Sequence, residues 1–238
     1  MDSRPPVDPP DRFYRRRLPH WQPAAGMIFL TWRLHGSLPA AALARLKEER
    51  EALARRPDRP DETARERALR ESKGLFRLTD DLLGHETAGP RWLADEAIAR
   101  LMVDALFFHD GRLYTLIAFV VMPNHVHVLL APLDRRLVDP AYESLEHTAP
   151  VPLQRITRAL KGYVANQANR ILGRTGLPFW QDESYDHWVR GDAEMHRIVT
   201  YIEGDPVKRG LAGTPEEWRW SSAWERLHGR LCDGLGDD

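Results

Sequence analysis

Two histidines flank one valine, His125-Val126-His127, inside the apolar run 122–130. Side chains alternate faces along a strand, so both imidazoles project to one side and can hold a single metal ion between them. Val126 points the other way and anchors the strand in the core. Polar rings in so apolar a strand cost stability unless they are satisfied. A metal with open positions takes about three protein ligands, so a partner is needed. The best local candidates lie at 201–205, where Tyr201 and Asp205 stand four residues apart and share one helix face. At ~3.6 residues per turn they fall roughly a quarter-turn from the apolar stripe of Met195, Ile198, Val199 and Ile202, at the rim of a core. A free phenol, with a pKa of ~10, is a poor nucleophile at neutral pH. A metal that grips a phosphate oxygen can polarise the phosphorus and orient the scissile bond. The phenolate would then displace a deoxyribose 3′-hydroxyl and leave a 5′-phosphotyrosyl bond, which conserves the energy needed to join a second strand.

These residues need a frame. The segment 27–34 is apolar, sits between Gly26 and Gly36-Ser37, and reads as the first strand. Ala, Leu, Glu and Arg dominate 40–56, which predicts a helix broken by Pro57 and Pro60. A charged helical composition resumes at 61–73, and this arginine- and glutamate-rich stretch reads as a solvated insertion. Helical spacing returns at 92–108, ended by Gly111. The near-continuous apolar run 113–121 predicts a central strand, joined to the His strand through a Pro123-Asn124 turn. A second helix is predicted at 153–172, stopped by Gly173 and Gly176, and a short strand at 185–190. A third helix is predicted at 192–203, with Asp192 as its N-cap and Gly204 and Pro206 as its stop. Without the insertion the order is βαββαβ, an α+β ferredoxin-like pattern with an antiparallel sheet and an appended C-terminal helix and tail. The expected organisation is a disordered N-terminus at 1–11, one domain at 12–212 with a helical insertion at about 38–90, and a tail at 213–238.

Composition bounds the function. The chain has 238 residues, 42% of them hydrophobic, and a formal net charge of −1, so no global basic field announces nucleic acid. The lone cysteine, Cys232, excludes an intrachain disulfide or a cysteine-based zinc site. No apolar run reaches the ~18 residues needed to span a bilayer. The first ten residues lack the apolar core of a signal peptide. The expectation is a cytoplasmic protein with no membrane partner.

Three blocks carry a family resemblance: Met-Pro-Asn-His-Val-His-Val-Leu-Leu at 122–130, Pro-Phe-Trp-Gln at 178–181 with Tyr185-Asp186-His187, and Val-Thr-Tyr-Ile-Glu-Gly-Asp-Pro-Val-Lys-Arg-Gly-Leu at 199–211 with Glu-Trp-Arg-Trp-Ser-Ser-Ala behind it. With them the chain resembles the REP-associated tyrosine transposases, HUH enzymes with a single tyrosine, over roughly residues 12–225. The resemblance implies a nuclease and strand transferase that cuts single-stranded DNA beside a palindromic hairpin, acting as monomer or homodimer. It implies that His125 and His127 bind Mg²⁺ or Mn²⁺ and that Tyr201 is the nucleophile. The third ligand of that family, four residues after the tyrosine, is commonly an amide. Here the position is Asp205, a harder ligand that adds negative charge near the phosphate.

Ordinary readings stand beside these. A His pair alone is more often hydrogen-bonded strand material, and a lone tyrosine more often packs. Tyr163 is a rival nucleophile, but its neighbours Leu160, Val164 and Ile171 suggest packing. Arg155, Arg158, Lys161, Arg170 and Arg174 lie in a stretch, 151–176, without an acid, which fits phosphate contacts or a solvated face. Arg12, Arg15, Arg16, Arg17 and Lys208 are further candidates for the DNA backbone. Trp180, Trp188, Trp218, Trp220 and Trp224 could stack on unpaired bases or pack a core. His187 could support the metal ligands. Two alternatives remain: a relative that binds hairpins without cutting them, and a small metal-dependent hydrolase, although no His-Glu-x-x-His or cysteine pair occurs.

Overall fold

The computed structural model describes residues 12–15, 19–22, 26–57, 59–85, 89–138, 150–182 and 184–231, with side chains from residue 26 onward. Two short strands come first, β1 (Arg12–Arg15) and β2 (Pro19–Gln22), paired antiparallel. Arg16 and Arg17 lie outside the described residues. The main sheet holds β3 (Met27–Arg33), β4 (Tyr114–Val121), β5 (His125–Pro132) and β6 (Tyr185–Val189). Its order is β4-β5-β3-β6 and every pair is antiparallel, which is the ferredoxin-like arrangement of an α+β protein. The His strand is therefore central, with β3 on one side and its hairpin partner β4 on the other. The turn between β4 and β5 is tight, with Met122 N donating to His125 O at 2.9 Å.

The pleat gives the sheet two different faces. Ile28, Leu30, Trp32, Val126, Val128, Leu130 and Phe119 form one buried cluster with helices α3 (Glu96–His109) and α5 (Leu153–Ile171). Phe29, Ala118, Val120, Met122 and Leu129 face the other way and pack against α6 (Asp192–Lys208). This second face also carries both histidines. Its cover is completed by the insertion, a helical pair of α1 (Ala40–Arg55) and α2 (Ala64–His85). A short helix α4 (Arg135–Val138) follows β5, and α7 (Ser222–Leu227) closes the described chain. The segment before α7 covers the free edge of β4: Val121 N donates to Trp220 O at 2.8 Å, and Phe119 N donates to Ser222 Oγ at 3.1 Å. A sheet edge is thereby closed to other strands. Among the described residues no helix is long and apolar enough to cross a membrane.

Three expectations need correction. Helix α6 does not stop at Gly204 and Pro206 but runs to Lys208. Its stop is Gly210, at φ 67°, with Gly210 N donating to Val207 O and Leu211 N to Pro206 O, the paired bonds of a Schellman ending. Pro206 forfeits the bond its nitrogen would give Ile202 O and its ring crowds that carbonyl, a local cost the helix carries without ending there. Asp192 is the first helical residue rather than the cap, a place taken by Gly191 at φ 81°. The insertion beyond the charged stretch 61–73 is not merely solvated, since Asp80 is buried beside the histidines and Leu83 packs with Leu38 and Ala42.

Helix α2 is tied to the domain by charge as well as packing. Lys73 Nζ lies 3.3 Å from Glu194 Oε1 of α6, and the same oxygen is 3.0 Å from His187 Nε2 of β6. Burial pushes the Glu194 pKa up, but the Arg190 backbone N–H, His187 and Lys73 outweigh it and bring the value down to about 2. The sign is that of a depressed acid: the contribution is present above the ordinary value near 4.5 and is lost as pH falls through about 2. Burial also holds His187 below its usual range. Glu194→Gln should remove this part of the acid dependence, so urea midpoints of variant and wild type converge as pH falls from 5 toward 2. Parallel pH profiles would show the link contributes nothing.

Candidate active site

Thr31 of β3 sits opposite His127 of β5, and Val120 flanks the same histidine from β4. This register fixes the imidazoles. His127 Nδ1 is 2.6 Å from Thr31 Oγ1, and His125 Nδ1 is 2.7 Å from Asn124 Oδ1. Asn124 is committed in turn, because its Nδ2 donates to Leu83 O at 3.0 Å. Asn124 Oδ1 must then accept, so His125 carries its proton on Nδ1 and its Nε2 is bare. The two Nε2 atoms face each other at 3.1 Å, and both rings are buried.

Two carboxylates converge on the same point. Asp205 Oδ2 is 3.4 Å from His125 Nε2, and Asp80 Oδ1 is 3.2 Å from His127 Nε2. Both oxygens are buried and accept no hydrogen bond. One ligand atom from each of Asp80, His125, His127 and Asp205 lies within 4.8 Å of every other. The outer oxygens are held by one guanidinium: Arg209 Nη2 is 2.8 Å from Asp80 Oδ2, and Arg209 Nε is 3.2 Å from Asp205 Oδ1. Gly84 makes room for it, since a Cβ there would lie 1.8 Å from Arg209 Nη1. Burial raises the pKa of both acids, but imidazoles, when they carry a proton and positive charge toward them, outweigh it, and both carboxyls end below their usual range. Burial lowers His125. A divalent ion between the donors would take the place of those protons, because ligation needs ionised acids and bare imidazole nitrogens.

These residues fit a divalent cation. The donor set is two imidazole nitrogens and two hard oxygens, each oriented by a second partner on its far side, as metal ligands usually are. With Arg209 the two carboxylates leave one net negative charge, which a divalent ion would reverse. Sequence spacing brought out His125, His127 and Asp205, and the structure gathers all three. It adds Asp80, which sequence reasoning missed. The signal was there: Asp80 stands between Phe76 and Leu83 at helical spacing, an acid in the inward stripe of α2.

Tyr201 lies one turn before Asp205 on α6. Its ring centroid is 5.5 Å from that of His127, 6.0 Å from Phe29 and 6.1 Å from Phe76. The hydroxyl is buried and forms no hydrogen bond of normal geometry. Burial, with the charges of Asp80 and Asp205, pushes the phenol well above its usual pKa. A phenol whose ionisation two carboxylates oppose would be eased by a cation held between them.

Of the remaining candidates, Lys208 alone reaches an acid of the cluster, and the others lie apart. Lys208 Nζ is 3.4 Å from Asp81 Oδ1 and 3.9 Å from Asp80 Oδ2, with its side chain half exposed. Arg155, Arg158 and Arg170 are on α5, across the sheet from the histidines, whereas Lys161 donates to Gln181 O at 2.9 Å. Arg174 stacks over Trp92, with its Cζ 3.9 Å from the ring centroid. Arg12 and Arg15 lie on β1. Tyr163 is half exposed on α5, away from the cluster. His187 bonds Glu194 rather than a ligand. Of the tryptophans, Trp180 and Trp32 meet edge to face at 6.3 Å, and Trp218 Nε1 donates to Val121 O, so these pack.

No family model matches the chain. The protein named "Putative REP-associated tyrosine transposase" of Haemophilus influenzae is 24% identical over 109 residues, which are 44% of this chain and 57% of that one. This chain is similar to a REP-associated tyrosine transposase. It spans a little over half the length of that curated relative. A solved structure of a REP-associated tyrosine transposase bound to a REP hairpin aligns over 94% of this chain and 93% of the other, at 14% identity and a TM-score of 0.49.

Two outcomes follow from the geometry. Mn²⁺ at ~100 times its dissociation constant should stabilise the protein by about 2.7 kcal/mol in thermal melts, and Asp80→Asn should lose most of that gain. An unchanged gain would remove Asp80 from the ligand set. Gly84→Ala sets two effects against each other. Alanine favours a helix by about 1 kcal/mol, but its methyl group displaces Arg209, and breaking a buried ion pair costs about 3–5 kcal/mol. The second should win, with Mn²⁺ affinity falling ~10–100-fold in calorimetry. A more stable variant with wild-type affinity would show that Arg209 does not support the site.

Proposed function

We propose that the chain cleaves and rejoins single-stranded DNA beside a palindromic hairpin through a covalent Tyr201–DNA intermediate, using Mg²⁺ or Mn²⁺. One observation carries this reading: a tyrosine with a buried hydroxyl shares a helix face, one turn away, with a carboxylate that joins two imidazoles and a second carboxylate. Similarity to the Haemophilus protein supports it in the same direction.

His125, His127, Asp80 and Asp205 would hold the ion, which when bound supplies positive charge to a phosphate oxygen. The Tyr201 oxygen attacks phosphorus, the bond to the 3′-oxygen breaks, and a free 3′-hydroxyl and a 5′-phosphotyrosine result. The phenolic proton is released to solvent and the departing 3′-oxygen takes one up, so no net proton is consumed and Asp80, held by Arg209 and kept ionised, stays a carboxylate. In the reverse sense a 3′-hydroxyl attacks the phosphotyrosine and restores the phenol, so strand joining needs no nucleotide cofactor. Arg209 keeps each carboxylate turned so that one oxygen stays inward. Phe29 and Phe76 pack beside the phenol and exclude water from it.

The test is a labelled hairpin DNA with a single-stranded flank, incubated with protein and Mn²⁺ and resolved under denaturing conditions. Wild type should give a protein–DNA adduct that maps to Tyr201. Tyr201→Phe should give none while still binding the hairpin. An adduct at another residue, or cleavage at the wild-type rate by the variant, would sink the assignment.

A further inference from the structure

A cleft of about 350 Å³ opens between the insertion helices α1 and α2 and the edge of the sheet formed by β3 and β6. Its lining joins three kinds of group. Lys47 and Arg50 come from α1, with no ion pair to an acid among the described residues. Phe76 of α2 and Tyr185 of β6 are stacked with centroids 4.2 Å apart. Asp80 and Thr31 belong to the metal-ligand cluster and its support. The cleft thus runs from free cations, past an aromatic pair, to the candidate metal ligands.

We infer that this cleft is the subsite for an unpaired nucleotide of the DNA strand that carries the scissile phosphate. The inference rests on the DNA-cleaving reading above and adds where the single strand lies. The cavity is of small-molecule size and too narrow for a duplex. Free Lys and Arg side chains suit a phosphodiester backbone, and an aromatic pair offers a face on which any unpaired base can stack. Phe76 closes the argument: it stacks on Tyr185 in the cleft and also packs edge-on against the Tyr201 ring. A nucleotide that displaces or extends the Phe76–Tyr185 stack would therefore bring its phosphate toward both the ligand cluster and the buried phenol. The insertion, on this view, is the strand-guiding element of the protein.

The experiment uses the full chain in EDTA, with an oligo-dT strand that carries one photoreactive 5-iodouracil and a fluorescent end label. Anisotropy reads affinity, and irradiation followed by peptide mapping reads location. Wild type should bind with a salt-dependent affinity and crosslink through Phe76 or Tyr185. Lys47→Glu with Arg50→Glu, on the helix outside the ligand cluster, should keep the fold by circular dichroism and lose ~10-fold or more in affinity. The salt slope of the double variant should drop by about 0.7 for each phosphate that it no longer neutralises, and the crosslink should disappear. If wild type binds oligo-dT and the double variant binds it equally well, or the crosslinks fall only on α5, the subsite is refuted and the DNA reading stands. If wild type binds neither oligo-dT nor a flanked hairpin, the DNA reading itself fails and the subsite with it.

Discussion

Four electron-rich atoms meet where water hardly reaches them, and the rest of the structure is arranged around that meeting. Two imidazole nitrogens stand 3.1 Å apart, and two carboxylate oxygens that accept no hydrogen bond close on them. Two like charges less than 5 Å apart repel by about 3–4 kcal/mol even at an effective dielectric of ~20. Arg209 answers part of this from outside, by holding the far oxygens of both acids. What remains inside is an excess of lone pairs that a divalent cation between them, or protonation of the imidazoles, would satisfy. Asn124 and Thr31, behind the imidazoles, turn the rings so that their donors point inward.

The ferredoxin-like sheet explains why the pair sits so rigidly. β5 is an inner strand, so hydrogen-bonded neighbours on both sides fix its register, and a slip by one residue would turn both histidines into the α3 and α5 layer. The opposite face needs its own cover, and two elements supply it. Helix α6 brings the phenol and Asp205 together, and α2 brings Asp80 and the aromatic wall. The insertion therefore does more than lengthen a loop. It brings Asp80 to the buried cluster, packs Phe76 beside the Tyr201 ring and, through Lys73, Glu194 and His187, is anchored to the sheet edge it covers.

Much of this was legible in the residues, for physical reasons that also explain the failures. The alternation around Val126 put both histidines on one face, and the four-residue step from Tyr201 to Asp205 put phenol and acid together, because strand and helix periods are local properties. The strand order followed from the alternation of element types. Asp80 was not legible in the same way. Its role depends on a meeting of residues 80 and 205 that no local period encodes, and α2 is so rich in Arg and Glu that its short inward stripe is masked. Pro206 misled for the opposite reason: a proline weakens a helix without always ending it, and Gly210, four residues on, carries the ending. Arg209 stood inside a recognised block without revealing that its partners would be two buried carboxylates from different helices.

The central claim is that a divalent ion is held among Asp80, His125, His127 and Asp205 within reach of the Tyr201 hydroxyl. Anomalous diffraction from crystals grown with Mn²⁺ tests it most directly. The account predicts one strong anomalous peak bounded by the two Nε2 atoms and the two inward carboxylate oxygens, with the phenol directed toward it. A cluster without a peak at saturating Mn²⁺, or with a proton shared between His125 and His127 in its place, would contradict the account.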